Sequence, residues 1–177
     1  ERDPKNVLLA RQGRFRLDAE MIRDQALSVS GLLSPMVGGE SGRPYQPKGY
    51  YAQLNFPERE YKPAKDENQY RRGVYTHWQR QFLHPWLLAF DAPAREECTA
   101  QRAVSNTPGA ALVLLNDPSF VEAAKVLAER VLTEAPKGDR EQVEWLWSEA
   151  TSRPAKSAEI DLLVSLLEKQ RATYEAN

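Results

Sequence analysis

Residues 70–117 of the chain read YRRGVYTHWQRQFLHPWLLAFDAPAREECTAQRAVSNTPGAALVLLND. This stretch contains three sharp helix-start signals, in which a capping oxygen is followed by a proline: Asp91 before Ala92-Pro93, Thr107-Pro108 and Asp117-Pro118. Proline has no N–H, and the N–H groups of a first helical turn have no partner within the helix, so proline is tolerated there. Each signal therefore predicts that a helix begins. The stretch joins an irregular segment before it to amphipathic helices after it.

A first helix is predicted on the N-terminal side, over residues 14–33. Its apolar face is a set of side chains at helical spacing, namely Phe15, Ile22, Ala26, Val29 and Leu33. A charged row runs along the same helix at four-residue intervals, with Arg23 beside it: Arg16, Glu20 and Asp24. Such a row is either a solvated face of weak ion pairs or a pair of carboxylates that faces a cleft.

Residues 34–69 lack any sustained periodicity. They carry five of the twelve prolines and four of the seven tyrosines, Tyr45, Tyr50, Tyr51 and Tyr61. A loop of this length without regular structure is either functional or disordered. The tyrosines favour a loop that packs over the helices, because each ring offers apolar area with a polar tip. The glycine-rich residues 38–42 lack the Gly-Lys-Ser/Thr ending of a phosphate loop, which predicts a flexible turn.

The remainder of the chain predicts helices with short breaks between them. The expected spans are 71–83, a polar helix at 92–102, 108–115, 118–133 and a C-terminal helical pair within 139–177, with residues 86–90 as a buried apolar connector. Asp139 with Gln142 resembles a capping box, and Ser157 is placed to cap the last helix. No strand or hairpin signal is present. The sequence predicts an all-α, irregular bundle of about six or seven helices, forming one domain over residues 1–177.

Composition excludes several classes of function. The formal charge of −1 gives no electrostatic case for nucleic acid, and no apolar run is long enough for membrane insertion. The single Cys98 excludes an internal disulfide, and its helical setting beside Glu96 and Glu97 predicts a buried structural thiol rather than a nucleophile. A start at Glu1 without methionine predicts that this is a fragment of a longer chain.

The histidines and the charged residues are the candidates for chemistry. His77 and His84 are about two helical turns apart, too far to share one ion directly, which leaves ligation by either one together with a distant carboxylate or Cys98. We expect instead ordinary histidines hydrogen-bonded to backbone, and no metal. Glu20, Asp24 and Asp91 are the acid–base candidates, either in a buried ion-pair network or in a ligand site with aromatic neighbours. The full set of candidate ligand- or partner-binding residues is Glu20, Arg23, Asp24, Tyr50, Arg71, Arg72, Tyr75, Trp78, Arg80, Asp91, Arg95, Arg102 and Asn106.

Several blocks of the sequence resemble one family, in the same order. The blocks are FRLDAEMIRDQALSVSGLLSPMVGG (15–39), YRRGVYTHWQRQ (70–81) and FDAPAREECTAQRAVSNTP with the helix after it (90–132). They are similar to the C-terminal domain of unknown function of planctomycetal cytochrome-c-like proteins. The chain departs from the family pattern at Gly73, where the pattern has serine, and at Gly109-Ala110, where it has Leu-Gln.

The resemblance implies an exported, periplasmic or cell-surface multidomain protein with haem attached upstream. The Cys-x-x-Cys-His haem motif is absent from this sequence, so no cofactor is expected in this fragment. Two functions stay open. The first is a non-catalytic module that docks on upstream domains of its parent chain or binds polysaccharide. The second is an enzyme domain acting on an extracellular polysaccharide, in a deep cleft roofed by residues 43–61 in which Glu20, Asp24 or Asp91 has a perturbed pKa.

Overall fold

The computed structural model describes residues 3–11, 13, 15–52, 60–80 and 82–176. Six α-helices lie in this part of the chain: α1 (Ala19–Ser30), α2 (Pro85–Ala89), α3 (Pro108–Asn116), α4 (Pro118–Glu134), α5 (Asp139–Thr151) and α6 (Ser157–Glu175). Short 3-10 helices span Glu67–Tyr70 and Gly73–Tyr75. The described residues form no strand, only two isolated bridges. The predicted all-α, irregular bundle is confirmed.

Two of the three proline-marked helix starts are confirmed. The Thr107 hydroxyl accepts the N–H of Ala110 at 3.3 Å at the start of α3. The Asp117 carboxylate accepts the N–H of Ser119 at 2.9 Å at the start of α4. These caps satisfy N–H groups that have no partner inside a helix, so the local sequence fixes both boundaries.

The core surrounds the short helix α2. Trp86 and Leu87 have no exposed surface, and Phe90 packs edge-on against Phe120 of α4 with ring centroids 6.3 Å apart. Residues 86–90 were predicted as a buried connector. The burial of Trp86, Leu87 and Phe90 is confirmed, but Leu88 is exposed, and residues 86–89 are helical. The burial of large side chains here is the main source of stability, since each contributes about 1.5–3 kcal/mol.

Helix α4 joins the core to the C-terminal helices. It packs against α1, α3 and α5. Arg130 ties three of these helices together, because it donates to the carbonyl of Val29 at 2.6 Å, pairs with Glu134 and lies over the ring of Trp145. Helices α5 and α6 pack against each other and are linked by an ion pair of Arg140 and Asp161.

The prediction of a helix over residues 71–83 is wrong. Among the described residues of this span, only Gly73–Tyr75 is helical, as a single 3-10 turn. The chain then continues as extended backbone that pairs with Gly42. The N–H of His77 donates to the Gly42 carbonyl at 2.7 Å, and the N–H of Gly42 donates to the Tyr75 carbonyl at 2.8 Å. These tertiary hydrogen bonds use backbone groups that a helix would have needed.

The prediction of a polar helix over residues 92–102 is also wrong. Asp91 and Arg95 have positive φ angles of 60° and 61°, and the segment has no regular structure. The Asp91 carboxylate accepts the N–H of Ser105 at 2.8 Å and so does not cap a helix at Pro93. Cys98, predicted to be buried, is exposed, because the polar helix expected to bury it does not form.

Three helix ends differ from the sequence prediction. Helix α1 begins at Ala19, because Asp18 is extended; Phe15 is 76% exposed, and residue 14, the predicted start, lies outside the described residues. No side chain caps α5, whose preceding residue is Gly138. Helix α6 begins after Lys156 rather than being capped by Ser157, and Glu159 accepts the Lys156 N–H at 2.8 Å.

No helix in the described ranges combines the length and the apolar character that a bilayer crossing requires.

Candidate functional site

Arg23 lies inside the protein rather than in an open cleft. It is 1% exposed, and it donates to the carbonyl oxygens of Arg71 at 2.8 Å and Gln69 at 2.5 Å. Burial lowers the pKa of its guanidinium to about 10, so the group stays charged at neutral pH. Its direct partners are neutral carbonyls. Arg23 therefore positions the backbone at residues 69–71 against α1.

Arg71 holds the glycine-rich turn in the same way. It is 2% exposed, and its guanidinium donates to the carbonyls of Gly38 and Glu40 while lying 4.2 Å from the ring of Tyr75. The Tyr75 hydroxyl accepts the N–H of Gly38 at 3.0 Å. Gly38 has a positive φ of 78°, a conformation that glycine adopts without steric cost. The turn that the sequence predicts to be flexible is wrapped around a buried arginine.

The carboxylates of α1 are paired. Glu20 accepts two hydrogen bonds from Arg102, at 2.7 and 3.2 Å. Burial acts to raise the pKa of Glu20, but the Arg102 guanidinium holds it below its usual value. Asp24 accepts the N–H of Gly73 at 2.5 Å and lies 3.8 Å from Arg72. Burial raises the pKa of Asp24 despite these partners.

Asp91 is part of a separate cluster near α3. Its carboxylate accepts the N–H and the hydroxyl of Ser105 and pairs with Arg16 at 3.0 Å. The N–H and hydroxyl of Ser105, with the nearby Arg16, hold the pKa of Asp91 below its usual value. Asn106 and Arg16 line an adjacent cavity of about 410 Å³ whose other walls are mainly apolar. Asp91 thus fixes a loop and is not free to act as a base.

The remaining predicted residues lie apart from these clusters. Arg95 stacks on Trp78, with its guanidinium carbon 3.7 Å from the ring centroid, and Trp78 donates to the carbonyl of Ala94. Arg80 is exposed. The structure therefore distributes the predicted site residues over several pairs that hold loops, rather than around one cleft.

A groove lies elsewhere, within the long loop. It has a volume of about 1030 Å³ and is walled by residues 45–52 and 60–65, which we call the tyrosine groove. Four tyrosines line it: Tyr45, Tyr50 and Tyr61 are each half-buried, and Tyr51 is buried. Tyr50 was predicted as a site residue and lies here. Glu20, Asp24 and Asp91 do not line the groove.

Hydrogen bonds fix the groove walls to the rest of the protein. The Tyr50 hydroxyl donates to the Leu83 carbonyl at 2.7 Å, and the Tyr61 hydroxyl donates to the Pro44 carbonyl at 2.7 Å. Burial raises the pKa of Tyr61, so this phenol stays protonated. The Nε2 of His84 donates to the Tyr45 carbonyl. The positions of the groove walls are thus fixed by hydrogen bonds to residues that do not line the groove, namely Leu83, Pro44 and His84.

One polar group in the groove lacks a partner. The Nε2 atom of Gln46 is buried and makes no hydrogen bond with the described residues. An unsatisfied buried donor of this kind costs about 1–3 kcal/mol.

Comparison with known proteins gives one result. The chain matches the family described as "Protein of unknown function (DUF1553)" over residues 1–167. The chain belongs to this family. No curated protein and no solved structure matches it.

The DUF1553 membership confirms a domain of unknown function, the coarse part of the resemblance. Within the described part of this DUF1553 chain, no three His, Cys, Asp or Glu side chains are placed to hold a metal ion. The predicted behaviour of His84 is confirmed, since it is buried and bonded to backbone. Gln46, Lys48 and Lys65 line the groove and were missed, although four tyrosines among lysines over residues 45–65 were a usable signal.

Proposed function

We propose that this DUF1553 domain is a non-catalytic helical module that binds polysaccharide in the tyrosine groove. The observation that carries the proposal is the groove itself, with tyrosine walls fixed by hydrogen bonds and a buried amide donor, Gln46, without a partner. Its volume lies at the upper end of the range for small-molecule sites, which suits an oligosaccharide rather than a single sugar.

Sugar rings suit these walls for a chemical reason. One face of a pyranose ring carries C–H groups that pack flat on an aromatic ring, while its hydroxyls accept and donate hydrogen bonds at the edge. Tyrosine provides flat apolar area and loses little side-chain entropy on binding.

The pairing of the carboxylates supports a non-catalytic role. Glycoside hydrolysis uses two carboxyl groups that flank the scissile bond. Among the described groove residues the only carboxylate is Glu60, which is exposed and lies 3.0 Å from Lys62. Glu20, Asp24 and Asp91 are each engaged with arginine or backbone elsewhere.

The proposal includes the setting implied by the resemblance. It places the domain in an exported, periplasmic or cell-surface protein, with any covalent haem in an upstream domain of the parent chain. Binding of an extracellular polymer by this domain would then hold the redox domain near that polymer.

The test is a titration of the purified domain with soluble oligosaccharides, followed by calorimetry. We expect binding that weakens about tenfold in Tyr50→Ala, equivalent to about 1.4 kcal/mol for one lost ring contact. Tyr50→Phe keeps the ring and should bind nearly as well. Tyr174→Ala, which removes an exposed tyrosine from α6, is the matched control.

Two results would contradict the proposal. One is the absence of binding by any oligosaccharide at millimolar concentration to the folded domain. The other is binding that Tyr50→Ala leaves unchanged, which would place the ligand outside the tyrosine groove. Thermal unfolding of each variant separates lost binding from lost folding.

A second candidate function, docking on another domain of the parent chain, is favoured by helix α3. Its nine residues contain no charge, and only Ala110 is buried, while Leu112 and Leu115 are exposed. The partner that fits α3 is an uncharged, apolar surface of the neighbouring domain, because contact between two such surfaces removes no charged group from water. In a chain that contains the adjoining domain, Leu115→Asp should increase the radius of gyration in small-angle scattering. No increase would contradict docking at α3.

A further inference from the structure

We infer that the tyrosine groove selects negatively charged polysaccharides, such as those bearing uronate or sulfate groups. This inference rests on the proposed function and names the class of ligand. It follows from the charges that line the groove rather than from its aromatic walls.

The groove carries an excess of positive charge. Lys48, Lys62 and Lys65 line it, and Glu60 is the only acidic residue among its described lining residues. Lys62 lies 3.0 Å from Glu60, so that pair is neutral overall. The side chains of Lys48 and Lys65 form no ion pair within the described part of the chain. As far as the described residues go, two cations are therefore available to a ligand.

The two available cations are placed on both walls. Lys48 belongs to the first segment, residues 45–52, and Lys65 to the second, residues 60–65. A chain lying between the segments would meet one ammonium group on each side. The protein as a whole carries a formal charge of −1, so this local excess is not a consequence of a basic surface.

The aromatic walls favour a charged glycan over an acidic peptide. Exposed lysines alone would attract any polyanion, because an ammonium group is a compact point charge. Three half-buried tyrosines add flat apolar area beside the charges of the lysines. A sugar ring uses both features together, whereas a polyglutamate chain offers no flat apolar face.

The experiment compares oligosaccharides of equal length in calorimetry at low salt. The probes are a neutral galactose oligomer, a galacturonate oligomer and a sulfated galactose oligomer of matched charge. We expect the charged oligomers to bind at least tenfold more tightly than the neutral one. The preference should shrink at 0.5 M salt, because salt screens exposed charges. The two charged probes distinguish carboxylate from sulfate as the anion.

Variants assign the preference to the groove. Lys48→Gln with Lys65→Gln should remove most of the preference, so that the charged oligomers bind only about as tightly as the neutral oligomer does. Lys169→Gln, which removes an exposed lysine of α6 outside the groove, should change neither affinity. These polar substitutions at exposed positions leave the fold intact.

The outcomes separate this inference from the proposed function. Equal affinity for neutral and charged oligomers would overturn the inference and leave polysaccharide binding intact. A polyglutamate peptide of matched charge that binds as tightly as the galacturonate oligomer would overturn it in favour of an acidic peptide. Absence of binding by every oligomer would contradict the proposed function as well.

Discussion

Arg23 donates to the backbone carbonyl of Arg71 at 2.8 Å, and the guanidinium of Arg71 in turn donates to carbonyls of the glycine-rich turn at Gly38 and Glu40. Both side chains are buried, and both use charged donors on neutral acceptors. Helix α1 is thereby connected to the start of the long loop through two arginines. We propose that these two arginines, called the arginine relay below, position the loop and therefore the tyrosine groove.

Removal of the Arg23 guanidinium should therefore destabilise the protein strongly. Arg23→Met leaves two carbonyls without their charged donor, and each such hydrogen bond contributes about 1.5–3 kcal/mol. We expect a loss of about 3 kcal/mol or more in the free energy of unfolding, measured with urea.

Arg72→Met is the matched control for this variant. The Arg72 guanidinium is largely exposed and lies 3.8 Å from Asp24, so its removal should cost less than about 1 kcal/mol. Equal losses for the two variants would show that the arginine relay adds nothing to an ordinary surface ion pair.

Gly42 is the second structural constraint on the loop. A Cβ atom there would lie 2.6 Å from the carbonyl oxygen of Asn68, closer than atoms tolerate. Gly42→Ala should lower the free energy of unfolding by about 1–3 kcal/mol, because the backbone must shift. Gly109→Ala is its control. A Cβ atom at Gly109, in α3, would meet only the Thr107 hydroxyl, at an ordinary contact distance of 3.7 Å, so this change should stabilise the helix by up to about 1 kcal/mol. An equal change in the free energy of unfolding for the two variants would contradict the close approach of Gly42 to the Asn68 carbonyl.

Buried His84 predicts a loss of stability in mild acid. Burial lowers its folded pKa to about 4, below the ordinary value of 6.5, so the unfolded chain binds the proton more readily. Stability should be fully retained above pH 6.5 and fall as the pH drops toward 4, by on the order of 3 kcal/mol.

The measurement is urea unfolding at several pH values for the wild type and for His84→Gln. Burial raises the pKa of Asp24, so this carboxyl contributes a change in stability of the opposite sign as the pH falls. That contribution is the same in the wild type and in His84→Gln. The difference between the two pH profiles isolates His84. Parallel profiles between pH 6.5 and 4 would show that His84 is not buried as described.

Exposed Cys98 gives a simple test of the loop at residues 92–102. We expect the folded protein to react with one equivalent of an aromatic disulfide reagent, without denaturant and at a rate near that of a small free thiol. If the Cys98 thiol reacted only after unfolding, it would be buried in the folded protein, as the sequence predicts, and the exposed loop would be contradicted.

Local signals in the sequence predicted those parts of the fold that local interactions decide. The caps at Thr107 and Asp117 involve neighbouring residues, and the starts of α3 and α4 are where the sequence places them. The segments at 71–83 and 92–102 were predicted wrongly because distant groups decide them. The backbone of Gly42 forms hydrogen bonds with the segment 71–83. The Asp91 carboxylate accepts the N–H of Ser105 and therefore does not cap a helix at 92–102.

The candidate site shows the same division. The charged row of α1 was recognised, but the partner of Glu20 is Arg102, which lies 82 residues away in the sequence. Sequence periodicity does not predict a pair so far apart in the chain. The sequence alone therefore could not distinguish a structural ion pair of Glu20 from a ligand-binding role. The lysines of the groove were missed because they gain meaning only when residues 45–52 and 60–65 lie side by side.

The central claim is that ligand binds in the tyrosine groove and not at the carboxylates of α1 or at Asp91. The most direct measurement is a nitrogen-15 NMR titration of the domain with a galacturonate oligomer. We predict that the shifted amide signals map to residues 45–52 and 60–65, while those of Glu20, Asp24 and Asp91 stay in place. Shifts concentrated around those three carboxylates, or no shift at all, would contradict the account.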